Sequence, residues 1–575
     1  MRKYGFLIFL IVISAKVRFS NLDTRGLFTD EKFTLLNANG IWVGGGNQAE
    51  IYEKPFFTPQ DFWAEKNIKD YFEAIAHSDF GTHIVYNGIL HYWMEMFGNS
   101  DYSVRFLSAL FSLLTVVIVY LFTMKVFGSY TTSFFSGLFL ALDPLNIAQS
   151  HIARSYTLSF LLVVLATYFF IKILEKAKNR LYFILYAVLV GLAMLNHYLN
   201  FLVPLAHGIV FLFLKEKKRL WPGFIASAAF NVCLMLYWFN WGGGYIAMDF
   251  LKDKNEKHLK IAELNAGNAS AAVQLSTPGL VAKKTAELFF DSNILSQSLF
   301  INLNQGIKNV LVSLLIFGLF LVVYFFSYNR KIYVPAVVAV VVLLTLHFDM
   351  MEAIIVANFL FFSLFFAFQY VFTNRKEPAL RVQNALVSIC MLMLFLPILF
   401  VLYDALKNGH TTSLTHRYIG VASPFVAILM AFGVYRFFKF SILAVFLGIF
   451  VYFYQTKPVE KEIRDYFEDK STLNAWFEPA RVPNPYHKVA QEILAKYQKN
   501  DTVLIPGAYR EFYTEVFDSK ELVSYNDAQY LNLYFPKNAV IIEKIDKKEP
   551  DKVFLKRENG EKLLIFDFEG TKYRY

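Results

Sequence analysis

The sequence predicts a polytopic α-helical membrane protein with a small C-terminal α/β domain. Hydrophobic residues make up 56% of the 575-residue chain and charged residues only 18%, whereas average soluble domains have roughly 45–50% and 25%. Apolar runs long enough to cross a bilayer recur up to residue 455, and only 456–575 has the polar composition of a soluble domain. The same composition excludes disordered, collagen-like and coiled-coil classes.

The apolar runs predict about 13 transmembrane helices, because a spanning helix needs about 20 mostly apolar residues. They lie at 4–20, 103–126, 131–148, 155–174, 181–198, 199–214, 221–239, 307–327, 332–347, 352–372, 383–403, 417–435 and 439–455. Lys16 and Arg18 end the first run. We interpret this run as a retained span whose basic residues reach to the interface, since Ser14-Ala15-Lys16 is a poor cleavage site. A cleaved secretory signal is the alternative.

Lys and Arg in alternate short loops predict the orientation. The N-terminus, with Arg2 and Lys3, is expected in the cytoplasm, and the C-terminus outside. Residues 1–455 then form the transmembrane domain with outer loops 21–102 and 240–306, and 456–575 forms the outer soluble domain. In that domain we predict a helix at 484–499, strands at 502–505, 539–542, 553–556 and 562–568, and a hairpin turn at Asn559-Gly560.

Several chemistries have no visible motif in the sequence. No phosphate loop or dinucleotide-binding glycine pattern occurs, and no Cys/His cluster has zinc spacing. We therefore assign no metal ligand and no cofactor, and a divalent metal requirement is not readable from the sequence. Cys233 and Cys390 both lie in apolar runs, so they indicate no disulfide framework. The net charge of +10 fits basic cytoplasmic loops rather than a nucleic-acid partner.

Two adjacent carboxylates, Asp30 and Glu31, follow the first span at the outer membrane face. A carboxylate near a surface of low dielectric constant can act as general base on a hydroxyl group. The alternative is a solvated helix start, because Thr29-Asp30 is also a good N-cap signal.

Three arginines lie at outer helix ends, where the distribution of basic loop residues disfavours them. These are Arg105, Arg154 and Arg417. Guanidinium groups suit phosphate oxygens, so a phosphate ligand is one explanation. For any single arginine, a headgroup contact or a structural ion pair is the simpler one. The three together, beside a carboxylate pair, favour a phosphate site.

Short motifs in the chain resemble the GT-C membrane glycosyltransferases of glycosyltransferase family 39, which include protein O-mannosyltransferases and bacterial aminoarabinose lipid A transferases. The motifs are Phe28-Thr-Asp30-Glu31, the stretch from Tyr86 to Ala109, the loop from Gln149 to Tyr156, and Arg417-Tyr418 with Pro424. The chain departs from the family pattern in two places. Gly81-Thr-His83 stands where the family often has His-Pro-Pro, and the Glu of the Gln-Glu-Ala-Arg loop is missing.

The resemblance implies a sugar donor on a polyprenyl phosphate and inversion at the anomeric carbon. In that frame Asp30 is the general base, Glu31 orients the acceptor or supports Asp30, and Arg105 and Arg154 hold the donor phosphate. Arg417 is a further phosphate candidate. Additional substrate-binding candidates at the same face are Asp79, His83, Tyr86, His151 and Tyr156.

We therefore predict a glycosyltransferase that moves a sugar from a polyprenyl-phosphate donor to a hydroxyl on a protein, lipid or polysaccharide acceptor. We expect it in the cytoplasmic membrane of a bacterium, with its active site on the outer side. The alternatives are a polysaccharide ligase of related build, a multi-span lipid-linked-sugar transporter or flippase, and a non-catalytic binding or assembly protein whose 456–575 tail is the interacting module. A transporter would have ionisable residues deep in its spans and internal repeats, and the sequence shows few of the first and none of the second.

Overall fold

The computed structural model describes residues 2–176, 179–214, 217–268, 271–292, 306–326, 351–440, 482–508 and 523–574. The predicted span at 332–347, most of the one at 439–455, and the predicted domain boundary at 455/456 lie outside these residues. The description below concerns the described residues alone.

The N-terminal part consists of one long apolar helix followed by short helices on one side of the molecule. Their bounds are α1 (Arg2–Phe19), α2 (Thr29–Ala38), α3 (Ala49–Tyr52), α4 (Pro59–Phe62), α5 (Ile68–Ser78) and α6 (Ile84–Phe97). Helix α2 packs against both α5 and α6, and the Glu31–Arg105 ion pair joins it to the first turns of α7.

The central part is almost entirely helical. Its helices are α7 (Asp101–Phe127), α8 (Tyr130–Leu142), α9 (Pro144–Ser150), α10 (Tyr156–Glu175), α11 (Arg180–Asn196), α12 (Leu202–Phe213), α13 (Trp221–Trp241), α14 (Gly244–Leu264), α15 (Pro278–Asp291), α16 (Gly306–Phe326), α17 (Met351–Asn374), α18 (Arg381–Asn408), α19 (His416–Ile419) and α20 (Ser423–Phe440).

Six segments in the described ranges have the length and hydropathy of membrane spans: Asp101–Phe127, Tyr156–Glu175, Trp221–Trp241, Ala357–Asn374, Pro378–Asn408 and His416–Phe437. The predicted class, a multi-span helical membrane protein, is confirmed. The count of thirteen stays a prediction.

The predicted span at 131–148 is wrong in its bounds, because the chain breaks there. Helix α8 ends at Leu142, and α9 begins at Pro144. Proline lacks a backbone N–H and favours the first position of a helix, so Asp143-Pro144 starts a new helix instead of continuing the old one. The Asp143 carboxylate accepts a hydrogen bond from the Ser423 hydroxyl at 2.6 Å, which joins this break to the start of α20.

Small residues let the central helices pack closely, as is usual where the surrounding lipid gives no hydrophobic driving force. Helix α8 packs against α7 and α20, and a Cβ added at Gly137 of α8 would lie 2.6 Å from a methyl carbon of Leu10. Gly433 of α20 faces the backbone and side chain of Ser363 on α17 in the same way.

The first helix ends with an arginine that does not reach to the interface as predicted. Arg18 is fully buried. Its guanidinium donates to the carbonyl groups of Leu140 and Ala141 at 3.0 and 2.8 Å, and to the Asn146 side chain at 2.9 Å. The last carbonyl groups of a helix have no partner within it, so Arg18 caps α8 and joins α1 to it.

The C-terminal domain contains a four-stranded mixed sheet with strand order β2-β1-β3-β4. Its elements are α21 (Pro485–Lys496), β1 (Thr502–Pro506), α22 (Asn526–Asn532), β2 (Ile542–Asp546), β3 (Lys552–Lys556) and β4 (Lys562–Asp567). Strand β1 pairs parallel to β2 and antiparallel to β3, and β3 pairs antiparallel to β4 through the predicted hairpin. The predicted small α/β domain is confirmed.

One predicted strand of this domain is displaced. We expected it at 539–542, but β2 begins only at Ile542. The strand buries Glu543 and exposes Lys544. Because it contains charged residues, it has no apolar run by which a strand could be predicted.

The C-terminal domain packs against the segment between α1 and α7 and against the start of α7. Phe57 and Glu543 form an antiparallel bridge, and the side chain of Asn484 donates to the carboxylate of Asp101, the first residue of α7, at 3.1 Å. The C-terminal domain therefore lies at the end of α7 where that helix begins.

Candidate active site

Helix α2 carries the two adjacent carboxylates predicted as catalytic. It begins at Thr29, and the Glu31 carboxylate accepts a hydrogen bond from the Phe28 backbone N–H at 3.2 Å, which satisfies one of the free donors at this helix end. Successive helix positions point about 100° apart. The Asp30 side chain is 34% exposed, whereas Glu31 is fully buried. A substrate can therefore reach Asp30 but not Glu31.

Glu31 forms a buried ion pair with Arg105. The Nε and Nη2 atoms of Arg105 donate to the two Glu31 oxygens at 2.8 and 2.6 Å. Its other N–H groups donate to the carbonyl groups of Leu22, Arg25 and Gly26 at 2.7, 2.5 and 2.9 Å. Burial on its own would raise the pKa of Glu31, but the Arg105 charge holds it below the ordinary value. All five guanidinium donors are thus engaged within the protein.

Arg154 binds Asp79 with two parallel hydrogen bonds, from Nη1 to Oδ2 at 2.7 Å and from Nη2 to Oδ1 at 3.1 Å. Nη1 also donates to the Asp30 backbone carbonyl at 3.0 Å and to the Thr34 hydroxyl at 2.9 Å. Burial opposes the charge of Arg154, yet the Asp79 and Asp30 carboxylates raise its pKa. A charged Arg154 therefore supports α2 next to Asp30.

Arg417 is the arginine that faces the Asp30 carboxylate. Its Nη1 lies 3.5 Å from Asp30 Oδ2, and its side chain is 39% exposed. Nη2 donates to the Tyr418 hydroxyl at 3.3 Å, and the guanidinium carbon lies 5.0 Å from the centre of that ring. Within the described part of the chain, Arg417 Nε has no hydrogen-bond partner. This arginine is accessible to a ligand that approaches Asp30.

A tight turn between α5 and α6 places His83 behind this group. Gly81 has φ +70°, and a Cβ there would lie 2.5 Å from the Tyr198 hydroxyl and 2.8 Å from Ala247, so the turn requires glycine. His83 itself has φ +71°. Its Nδ1 is hydrogen-bonded to the Ser155 hydroxyl. Where the chain departs from the family pattern, Gly81-Thr-His83 thus forms a tight turn with positive φ at both Gly81 and His83.

His83 is held as a neutral imidazole. Its Nε2 lies 3.5 Å from the Asp79 carboxylate. Burial first, and then the charges of Arg154 and neighbouring basic groups, hold the pKa of His83 well below its ordinary value. At neutral pH this side chain therefore adds a hydrogen-bonding group rather than a charge.

The other predicted substrate-binding residues lie at different depths. Tyr86 is fully buried, and its hydroxyl is hydrogen-bonded to that of Ser108 at 2.7 Å. His151 is 7% exposed and contacts the Val17 carbonyl at 3.1 Å, which joins the end of α9 to α1. Tyr156 lies closer to the site, with its ring centre 6.2 Å from that of His83.

Two residues at this site were not among the predicted site residues. The ring of His197 lies 5.8 Å from that of His83. Lys254 of α14 lies over the Phe80 ring at 4.3 Å. Both come from chain segments distant in sequence, and no local motif marks either of them.

Part of the chain is similar in sequence to a known protein family. Residues 83–241 match the model of the dolichyl-phosphate-mannose-protein mannosyltransferase family. This match confirms the predicted resemblance. It covers the segment that supplies Arg105, Arg154 and His83, and it supports a glycosyltransferase of the GT-C type. No curated protein sequence matches the chain significantly.

Solved structures of low identity also align with the chain. The Archaeoglobus fulgidus oligosaccharyltransferase with zinc and sulfate aligns over 86% of this chain at 14% identity and a TM-score of 0.45. The same archaeon's AglB, in complex with an inhibitory peptide and a dolichol-phosphate, aligns over 95% at 14% identity and a TM-score of 0.43. The chain spans 56% and 61% of the length of these two proteins. ArnT from Cupriavidus metallidurans aligns over 92% of this chain and 84% of its own length, at 12% identity and a TM-score of 0.36.

Proposed function

We propose that the protein is an inverting glycosyltransferase that moves a sugar from a polyprenyl phosphate to an acceptor hydroxyl at the outer face of the cytoplasmic membrane. The observation that carries this proposal is the accessible Asp30 carboxylate, with the Arg417 guanidinium 3.5 Å away. The family match over 83–241 supports the reaction class. The contact between the C-terminal domain and the segment between α1 and α7 agrees with the proposed topology, in which both lie on the outer side.

In this mechanism Asp30 is the general base. The acceptor hydroxyl transfers its proton to the Asp30 carboxylate as its oxygen attacks the anomeric carbon of the sugar. The bond between that carbon and the phosphate oxygen breaks, and the leaving polyprenyl phosphate takes the electron pair. A cation beside the leaving group stabilises the charge that develops there, and we assign this role to Arg417.

The remaining predicted residues receive supporting roles in our assignment. Arg105 has every donor engaged by protein acceptors, so we replace its expected phosphate role with a structural one, together with Glu31. Arg154 holds α2 and Asp79 in place. Lys254 was not predicted. It comes from the 240–306 loop and acts electrostatically on the Asp79 carboxylate, and we propose it as a second candidate cation for the donor phosphate.

The test is transfer of a labelled sugar from synthetic polyprenyl-phosphate donors by the purified full-length protein, with an envelope extract as acceptor. Asp30→Asn keeps the shape of the side chain but removes its basicity, and we expect a loss of transfer of about 100-fold or more. Asp404→Asn is the matched control, because Asp404 is a part-buried carboxylate at the end of α18 that contacts Asn408. Undiminished transfer by Asp30→Asn would remove Asp30 from the mechanism.

A further inference from the structure

Lys32, two residues after Asp30 on α2, is buried against the C-terminal domain. Its side chain is 1% exposed. Nζ donates to the backbone carbonyl groups of Tyr573 and Arg574, the second at 2.8 Å. The rings of Tyr486 and Tyr530 lie 4.9 and 4.7 Å from the same nitrogen. We call these two carbonyl groups and two rings the Lys32 cage, and all of it belongs to the C-terminal domain.

The cage is itself held by buried charges. Arg574 is 4% exposed and donates from Nη2 to the Asp527 carboxylate at 2.9 Å, and it pairs with Asp551 as well. The Tyr486 hydroxyl lies within hydrogen-bond distance of two acceptors, the Asp527 carboxylate at 2.7 Å and the Arg574 carbonyl at 3.0 Å. These buried contacts hold Arg574 and Tyr486, and hence one carbonyl group and one ring of the Lys32 cage, in place.

A second contact joins the same two parts of the molecule. The Gly26 backbone N–H, in the loop before α2, donates to the Val482 carbonyl at 2.6 Å. A Cβ at Gly26 would lie 3.2 Å from the Asn484 backbone and 3.4 Å from Tyr573. Gly26 lies three residues before α2, and Lys32 lies in the first turn of this helix. The C-terminal domain therefore contacts the chain on both sides of Asp30 in the sequence.

We infer that the C-terminal domain is part of the catalytic centre, and that Lys32 is a positioning residue through which this domain fixes helix α2 and hence the Asp30 carboxylate. The inference rests on the proposed function for its catalytic consequence. The clamp on α2 can be measured without it. Lys32 Nζ gives this clamp directionality, because it donates to two carbonyl oxygens and packs over the faces of two aromatic rings. Burial lowers the pKa of Lys32 from 10.5 to about 7, and the two hydrogen bonds can be donated by either protonation state.

The test variant is Lys32→Met in the full-length protein. Methionine has a flexible apolar side chain that packs well between aromatic rings, and it removes the charge and the two donated hydrogen bonds. The matched control is Gln529→Ala, which weakens the same domain interface at a distance from α2. Gln529 bonds to the Trp42 carbonyl and to the Gly44 N–H, each at 2.9 Å.

The first readout is hydrogen exchange of the backbone amides of 29–38. We expect exchange there to be about tenfold faster in Lys32→Met, with 156–175 unchanged, and to stay at the wild-type rate in Gln529→Ala. Should Lys32→Met fail to fold, Tyr486→Phe loosens the cage more gently, because it removes only the hydroxyl that contacts Asp527 and Arg574. It should accelerate exchange in the same direction.

The second readout is sugar transfer per folded molecule. A displaced Asp30 lowers kcat by about 10- to 100-fold while the KM for the donor stays within about twofold. A merely structural role for Lys32 would reduce the folded fraction and leave both constants of the folded molecules unchanged.

The outcomes are distinguishable. Wild-type exchange in 29–38 of Lys32→Met overturns the clamp, whatever the activity. Faster exchange with unchanged kcat overturns the positioning role. Faster exchange in a preparation whose wild type transfers no sugar from any donor supports the clamp and counts against the proposed function alone.

Discussion

Arg105→Met separates a structural arginine from a phosphate ligand. The substitution replaces the guanidinium with an apolar side chain of similar reach and leaves the Glu31 carboxylate in place. Glu31 is fully buried, and it would keep the N–H groups of Ala153 and Phe28 as partners, at 2.8 and 3.2 Å. It would lose its compensating charge.

The contacts of Arg105 determine the expected size of the effect. Breaking a buried ion pair by removing one partner costs about 3–5 kcal/mol, because the other charge is left uncompensated. The carbonyl groups of Leu22, Arg25 and Gly26 also lose their donors, at about 1 kcal/mol each. The Arg417 pair is longer, at 3.5 Å, and about a third exposed, so Arg417→Met should cost about 0–1 kcal/mol.

The assay combines thermal unfolding in detergent with steady-state transfer at varied donor concentration. We expect Arg105→Met to unfold at a much lower temperature than the wild type, and Arg417→Met to unfold normally but require more donor. In the double variant Glu31→Leu with Arg105→Met, much of the lost stability should return, because no buried charge is left alone. An Arg105→Met protein with wild-type stability and a raised KM for the donor would refute this reasoning and restore the phosphate role.

Two further predictions concern stability. Glu543 is fully buried and accepts from Asn532 at 2.9 Å, and burial raises its pKa from 4.5 to about 8; the folded state therefore holds this proton more tightly than the unfolded chain. The free energy of unfolding should fall by up to about 5 kcal/mol as the pH rises from about 5 to about 9, and Glu543→Gln should abolish that slope in unfolding curves measured across this range. Gly433→Ala should destabilise by about 1–3 kcal/mol, because its new Cβ would lie 2.8 Å from the Ser363 Cα, whereas Gly318→Ala, with no heavy atom within 4 Å, should not; equal melting temperatures for the two variants would contradict the close packing.

The class of fold was predictable because hydropathy and span length are properties of short segments. The break between α8 and α9 shows where prediction from hydropathy fails. Residues 131–148 are apolar enough for one span, yet Asp143-Pro144 divides them. The bend needs only one proline and a donor for the Asp143 carboxylate, which the Ser423 hydroxyl supplies. Strand β2 was displaced for a related reason, because burial of Glu543 breaks the apolar pattern.

The sequence predicts those site residues that lie in short motifs, but it does not show which tertiary contacts each of them makes. Asp30 and Glu31 are adjacent in the sequence, yet their side chains point about 100° apart on the helix and lie in different environments. The sequence predicts a role in the chemistry for both, and the structure buries Glu31 against Arg105. Lys32 and His197 were not assigned to the site because their partners are set by tertiary packing, which leaves no local pattern.

Three acid–arginine pairs lie around α2, and they differ in burial and in the distance between the two side chains. In the pairs Glu31–Arg105 and Asp79–Arg154 the side chains are at most 8% exposed and lie within 2.7 Å of each other. The third, Asp30–Arg417, is open and spans 3.5 Å. The Glu31 and Asp79 carboxylates are buried, and each is bound to its arginine by two hydrogen bonds, so an incoming hydroxyl does not reach them. We therefore assign a structural role to the first two pairs. An acceptor and a phosphate could enter between the charges of the third pair, with the Asp30 base on one side and the Arg417 cation on the other.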